Sequence, residues 1–154
     1  MKKVALILSL VIGLTGCSEI GDDMSSNTLV PVSTTMGEEP TIATPTGDAP
    51  AELIAEDVVV GTGAEVLPTS TLTVQYKLMR WSDGSILESS WTSTGPATFP
   101  LANVVVGWQQ GLPGAKVGTR RLLVIPPALG YGPITGHPLE KDTLVFAVDI
   151  LAVS

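Results

Sequence analysis

Hydrophobic and polar residues alternate most clearly between positions 71 and 78. Thr71-Leu72-Thr73-Val74-Gln75-Tyr76-Lys77-Leu78 places Leu72, Val74, Tyr76 and Leu78 on one face of a strand and polar side chains on the other, the pattern of a half-buried sheet element. Ser82-Asp83-Gly84-Ser85 is a turn signal, and Ile86 to Ser89 returns as the paired strand. Thr119 to Ile125, closed by Pro126-Pro127, and Thr143 to Ala152 read as two further strands, the second with Leu144, Phe146, Val148 and Ile150 on a common face. Room for a helix exists only near Val106 to Leu112, bracketed by Gly107 and by Pro113-Gly114. Together these elements predict an α+β domain, an antiparallel sheet covered by one short helix.

The pattern fades upstream. Residues 18–50 are rich in Ser, Thr, Pro, Gly and acids, contain no aromatic residue and show neither periodicity. They read as a flexible tether without enough apolar surface to fold, with an end-to-end distance on the order of 30 Å. All the aromatic residues (Tyr76, Trp81, Trp91, Phe99, Trp108, Tyr131 and Phe146) lie further on, so the core is expected in one domain over residues 52–154, preceded by a tether over 17–51. Charge divides the same way. Of the fifteen acids behind the formal charge of -7, nine lie between Cys17 and Asp57, a stretch without Lys or Arg, whereas from Val58 onward six acids balance six bases. The domain is near neutral and has no basic stripe, so nucleic acid is not an expected partner.

The first sixteen residues read as a secretory signal. Met1-Lys2-Lys3 is a positive start, and Val4 to Leu14 is an apolar run, too short for the roughly twenty residues of a membrane-spanning helix. Leu14-Thr15-Gly16-Cys17 resembles the lipobox of bacterial lipoproteins, which implies lipidation of Cys17, an anchor in the cell membrane and an extracytoplasmic location. Several acyl chains make such an anchor stable, at about 0.8 kcal/mol per buried methylene.

Candidate chemistry narrows quickly. Cys17 is the single cysteine and His137 the single histidine, which excludes a disulfide framework and a His/Cys metal cluster. No cofactor or metal is expected. His137, in Thr135-Gly136-His137-Pro138, has no Gly-x-Ser-x-Gly partner and reads as a solvated loop histidine. The carboxylates Asp83, Glu88, Glu140, Asp142 and Asp149 are scattered over turns and strand faces and read as surface charge, and no glycine run forms a phosphate loop. An apolar pocket remains, and with it reactions that need no nucleophile. Prolyl isomerisation is one. Its barrier of about 18 to 20 kcal/mol is amide resonance, and a dry cleft favours the less polar twisted amide. Composition permits this activity without singling it out.

A resemblance is more specific. Gly107-Trp108-Gln109-Gln110-Gly111-Leu112, then Lys116-Val117-Gly118, Arg121-Leu122 and Ile125-Pro126-Pro127-Ala128-Leu129-Gly130-Tyr131-Gly132, resemble the central signature of FKBP-type peptidyl-prolyl isomerases. Val74-Gln75-Tyr76, Asp83-Gly84 with Leu87-Glu88-Ser89-Ser90, Thr98-Phe99-Pro100-Leu101 and Leu144 to Leu151 extend the likeness from about Val58 to Val153. It implies a five-stranded antiparallel sheet wrapped around one short helix, with a proline pocket between them. Carried over by position, Trp108 would floor the pocket and Tyr76, Phe99 and Phe146 would wall it. Val104 and Val105 would form an aliphatic rim, and the Tyr131 hydroxyl would bond a substrate carbonyl. Implied partners are proline-containing segments of secreted proteins and macrolide ligands, met by a monomer.

The chain departs from the family at three places. Leu87 and Glu88 stand where Phe and Asp are usual, Lys77-Leu78 replaces Thr-Gly, and the loop between Tyr131 and Thr143 lacks the Ile-Pro-Pro run, leaving Leu139 as the expected substitute. Leu87 and Glu88 are kept among the catalytic candidates with Tyr76, Trp108 and Tyr131. The departures also leave open a binding or chaperone module with little turnover.

Overall fold

The structure is a computed structural model and describes residues 23–25 and 28–154. The signal segment and Cys17 lie outside the described residues. Among the described residues six strands form one antiparallel sheet: β1 (Ile54–Val59), β2 (Thr71–Arg80), β3 (Ile86–Ser89), β4 (Ala97–Pro100), β5 (Arg120–Ile125) and β6 (Leu144–Val153), with one α-helix, α1 (Val106–Gly111), before β5. The spatial order is β1-β5-β6-β2-β3, and β4 also pairs with β2.

Six strands replace the expected five because one sheet position is split. β6 occupies one edge of β2 along its length, from Leu72 opposite Val153 to Arg80 opposite Leu144. On the other edge, β3 pairs Lys77 with Ser89, and β4 pairs Thr71 with Pro100 through Val74 with Ala97. The chain leaves the sheet between them. Ser90 bridges the gap, donating its N–H to the Tyr76 carbonyl and accepting the Tyr76 N–H on Oγ. Gly95, at φ 78°, and Pro96 then turn the chain back.

The front of the sheet carries the main core. Leu72, Val74, Leu78, Leu123, Ile125, Leu144, Phe146, Val148 and Ile150 pack with Leu101, Trp108 and Leu112, so the alternation in β2 and β6 reads out as expected. α1 lies very close to β5. A Cβ on Gly107 would come within 2.5 Å of Ile125 Cγ2, and one on Gly111 within 2.7 Å of Leu123 Cδ2. These glycines, one turn apart, let the backbone touch the sheet. Arg121 fixes the far end of the helix by donating to the Gly111 carbonyl at 2.8 Å while pairing with Asp57 of β1.

The back of the sheet corrects the tether reading. From residue 28 to about residue 50 the chain lies across it, with Val30, Val32 and Ile42 buried against Met79, Trp81, Leu122, Val124, Val145 and Ala147. Isolated bridges pair Met24 with Ser33 and Val32 with Ile42. Arg120, with no exposed surface, clamps the segment. It pairs in a fork with Asp149 at 2.6 and 2.7 Å and donates to the carbonyls of Ser33, Thr35 and Glu38 at 2.8, 3.0 and 2.8 Å. Its guanidinium donors are thereby satisfied. Lys77 reaches Glu39 and the Pro40 carbonyl, Ser89 donates to Glu39, and the Trp81 indole donates to the Gly47 carbonyl. Polar composition hid this segment because three apolar side chains and a row of backbone acceptors are enough to close a sheet face. β5 and β6 carry the complementary signal, since Leu122, Val124, Val145 and Ala147 make their back faces apolar too.

Candidate active site

The open end of the front core is a cavity of about 570 Å³, within the usual size of small-ligand sites. Segments from across the sheet converge on it, β3 with Glu88 among them. β2 contributes Tyr76 and Leu78, β6 Phe146, α1 Trp108, β4 Phe99, and the loop after β5 Tyr131. Trp108 is buried and stands edge-on to three rings, 5.7 Å from Tyr76, 6.2 Å from Phe99 and 5.4 Å from Phe146, at interplanar angles of 83°, 86° and 82°. Such T-shaped contacts hold the rings as a rigid apolar box. Its position follows from Gly107, which lets the first turn of α1 sit against Ile125.

Val104 and Val105 form part of the lining. The Val105 carbonyl starts α1 by accepting the Trp108 and Gln109 N–H groups at 3.0 and 3.3 Å. The Gln109 side-chain amide donates back to the Val104 and Ala102 carbonyls, a brace on the rim that the sequence did not single out.

Polar groups are few. The Tyr76 hydroxyl donates to Glu88 Oε1, so Tyr76 presents its ring rather than its hydroxyl to a ligand. Burial first, then the Glu88 bond and charge, push the Tyr76 pKa well above the usual tyrosine range. Burial followed by the Glu88 charge also raises Tyr131. Both are neutral phenols at physiological pH. The Tyr131 hydroxyl has no hydrogen-bond partner among the described residues and is available as a donor.

The predicted site residues divide in two. Tyr76, Glu88, Phe99, Val104, Val105, Trp108, Tyr131 and Phe146 line the cavity, whereas Leu87 and Leu139 do not. Both leucines pack against the main core instead. Where Leu139 was expected at the pocket, the structure brings Pro133 and Ile134, with Ile134 53% exposed at the lining. The loop is a chain of tight turns, with Ile134 N–H to the Tyr131 carbonyl and His137 N–H to the Ile134 carbonyl, and this carries Ile134 back over the site. His137 is also not a free surface histidine. Its ring stacks on Tyr131 at 4.1 Å and 8°, and its Nδ1 accepts the Leu139 N–H at 3.1 Å, which leaves the ring proton on Nε2.

A rigid apolar box with one free phenolic donor suits binding of a proline ring and its twisted amide. The pattern described as FKBP-type peptidyl-prolyl cis-trans isomerase matches residues 63–151. The chain belongs to that family. A probable FK506-binding protein of Corynebacterium glutamicum is 44% identical over 116 residues, which cover 75% of this chain and 98% of that protein. An FK506-binding protein of Streptomyces anulatus is 36% identical over 121 residues, again 75% of this chain and 98% of the relative. Among solved structures, that of FkpA from Escherichia coli superimposes with a TM-score of 0.60 at 36% identity, covering 66% of this chain and 48% of that one. The protein is thus a peptidyl-prolyl cis-trans isomerase. The ring of aromatics is its candidate active site, and the barrier to rotation about the X-Pro bond is what such an enzyme lowers. The cavity supplies two things for this. Its apolar walls exclude water and so favour the less polar twisted amide, and the Tyr131 hydroxyl can hold a flanking carbonyl without transferring its proton.

Proposed function

We propose that this isomerase accelerates X-Pro rotation in secreted chains as they fold, working from the extracytoplasmic face of the cell membrane to which Cys17 lipid anchors it. The observation that carries the catalytic part is the box of Tyr76, Phe99, Trp108 and Phe146 with the unpartnered Tyr131 hydroxyl at its edge. The lipobox-like Leu14-Thr15-Gly16-Cys17 supports the location. Proline-containing segments are the substrates, and the same box suits a macrolide with a proline-like ring, the ligand in the names of two relatives.

The test is the cis-to-trans rate of a short X-Pro peptide with the protein, beside Trp108→Ala and Tyr131→Phe. Acceleration that drops in both variants is expected, by more than tenfold for Trp108→Ala, which removes the floor. Acceleration unchanged in both would place catalysis elsewhere. For the anchor, Cys17→Ser should move the protein from the membrane to the soluble fraction, and continued sedimentation with membranes would sink lipidation.

A second reading has one specific observation behind it. Leu87 packs into the core rather than lining the cavity, leaving one wall to Glu88, which suits a binding module that holds proline segments with slow turnover. Saturable peptide binding without rate acceleration would favour it.

A further inference from the structure

Glu88 is the one charged side chain lining the cavity. It is exposed, its Oε1 accepts the Tyr76 hydroxyl, and among the described residues no cation pairs with it. Of the described bases, Lys116 and Lys141 do not line the cavity, and the other four are engaged elsewhere. Arg80, on the same strand as Tyr76, is shared by Asp83 and Asp142. Lys77 binds Glu39 and the Pro40 carbonyl of the segment crossing the back of the sheet. Arg120 and Arg121 are paired with Asp149 and Asp57. Lys141 is exposed beyond Leu139 and does not line the cavity. The rest of the lining is apolar, aromatic or the neutral Asn103, so the mouth carries an uncompensated negative charge in a largely apolar frame.

We propose that Glu88 makes the pocket selective for substrate charge: X-Pro peptides with lysine or arginine next to the proline are preferred over those with aspartate or glutamate there. This rests on the isomerase reading of the cavity and names the substrate class it favours. An ion pair formed with one peptide and a like-charge contact made with the other act in the same direction. Both are partly solvated, so together they amount to roughly a tenfold preference at low salt. Salt reduces it, because the Debye length shrinks from about 10 Å at 0.1 M toward a few ångströms near 1 M.

The experiment uses the full-length protein in a non-ionic detergent and two series of short peptides, with Lys, Gln or Glu either just before or just after the proline. The expected kcat/KM order in at least one series is Lys above Gln above Glu, with a Lys-to-Glu ratio near ten that contracts in 0.5 M NaCl. Glu88→Gln keeps an acceptor for the Tyr76 hydroxyl but removes the charge. It should bring the Lys-to-Glu ratio close to one, whatever it does to the absolute rate. A ratio near or below one in both series for the unsubstituted protein overturns the proposal, as does a tenfold ratio that survives Glu88→Gln. If no peptide is turned over at all, the isomerase reading fails, and the same peptides are compared by calorimetric binding. There a Lys preference lost in Glu88→Gln upholds the charge selection, and equal affinities overturn it.

Discussion

Tyr76 and Tyr131 keep their protons into alkaline solution because burial and the Glu88 carboxylate both disfavour a phenolate. For Tyr76 the consequence for stability has a definite sign. An acid whose folded pKa is raised contributes stability that is complete below its unfolded pKa, about 10 for tyrosine, and that is lost as pH climbs from there toward the folded value. Denaturant midpoints should therefore fall above about pH 10, and Tyr76→Phe should flatten that fall. An equal decline in the variant would remove Tyr76 from the account. His137 acts on the other phenol through its stacked ring. Stacked aromatic pairs are worth about 0.5–1.5 kcal/mol, so His137→Ala should lower kcat/KM roughly two- to tenfold, while His137→Phe should retain most of it; equal losses would show that stacking is not what holds Tyr131. Neither contact could be read from the sequence, where His137 stood as a solvated loop residue and Glu88 as scattered charge that the family resemblance alone kept among the catalytic candidates. Both roles depend on which side chains the loop after β5 and the strand β3 bring face to face.

At the level of elements, the helix and the back-face segment show how placement depends on very small features. α1 is only six residues long and cannot be stable alone, so it is held by Gly107 and Gly111 against β5 and by Arg121 at its end. Gly107→Ala forces a methyl into Ile125. It should destabilise the fold by about 1–3 kcal/mol and depress turnover further by lifting Trp108, as read from urea midpoints and peptide rates together. Unchanged rates in a folded variant would uncouple helix seating from the site. The segment crossing the back of the sheet depends on Arg120 in the same way. Arg120→Ala would leave Asp149 buried without its partner, a loss of about 3–5 kcal/mol, and should expose residues 28–50 to protease before the rest unfolds. Simultaneous cleavage throughout would mean that the segment and the sheet open as one unit. The strands β2, β3, β5 and β6 and the helix were legible from periodicity and turn signals. β1 and β4 were not, because Ile54–Val59 and Ala97–Pro100 lack clean alternation of apolar and polar residues. The covering segment was missed because only Val30, Val32 and Ile42 of it supply the buried apolar contacts, among largely polar neighbours.

For the whole molecule, this segment changes how far the domain would stand from a lipid carried on Cys17. With a flexible stretch of about thirty-three residues the domain would ride on the order of 30 Å out on average, with much further reach. Asp23 and Met24 are instead already tied to the domain, through Thr34 and Ser33; Asp23 stands six residues after Cys17, and six residues span at most about 20 Å. If Cys17 carries the lipid, energy transfer from the tryptophans to a labelled headgroup should be strong in reconstituted vesicles and should weaken when a thirty-residue Gly/Ser stretch is inserted after residue 20. Transfer insensitive to the insertion would argue against a short connection. Limited proteolysis of the unsubstituted protein should likewise spare residues 28–50, since Val32 is fully buried and Ile42 is only 7% exposed.

The amino-acid sequence alone determined the antiparallel sheet with its short helix, because alternation with period two leaves one apolar face that must be buried. It also determined the identity of the pocket aromatics, because Tyr76, Phe99, Trp108 and Phe146 belong to a spaced motif. Tertiary structure alone decided that residues 28–50 belong to the fold, that Ile134 rather than Leu139 reaches the cavity, that His137 stacks on Tyr131, and that no cation among the described residues pairs with Glu88 there. The physical reason is common to all four. Each depends on contacts between segments far apart in the chain or on the path of an irregular loop, and neither residue type nor period encodes which partner such a side chain will meet.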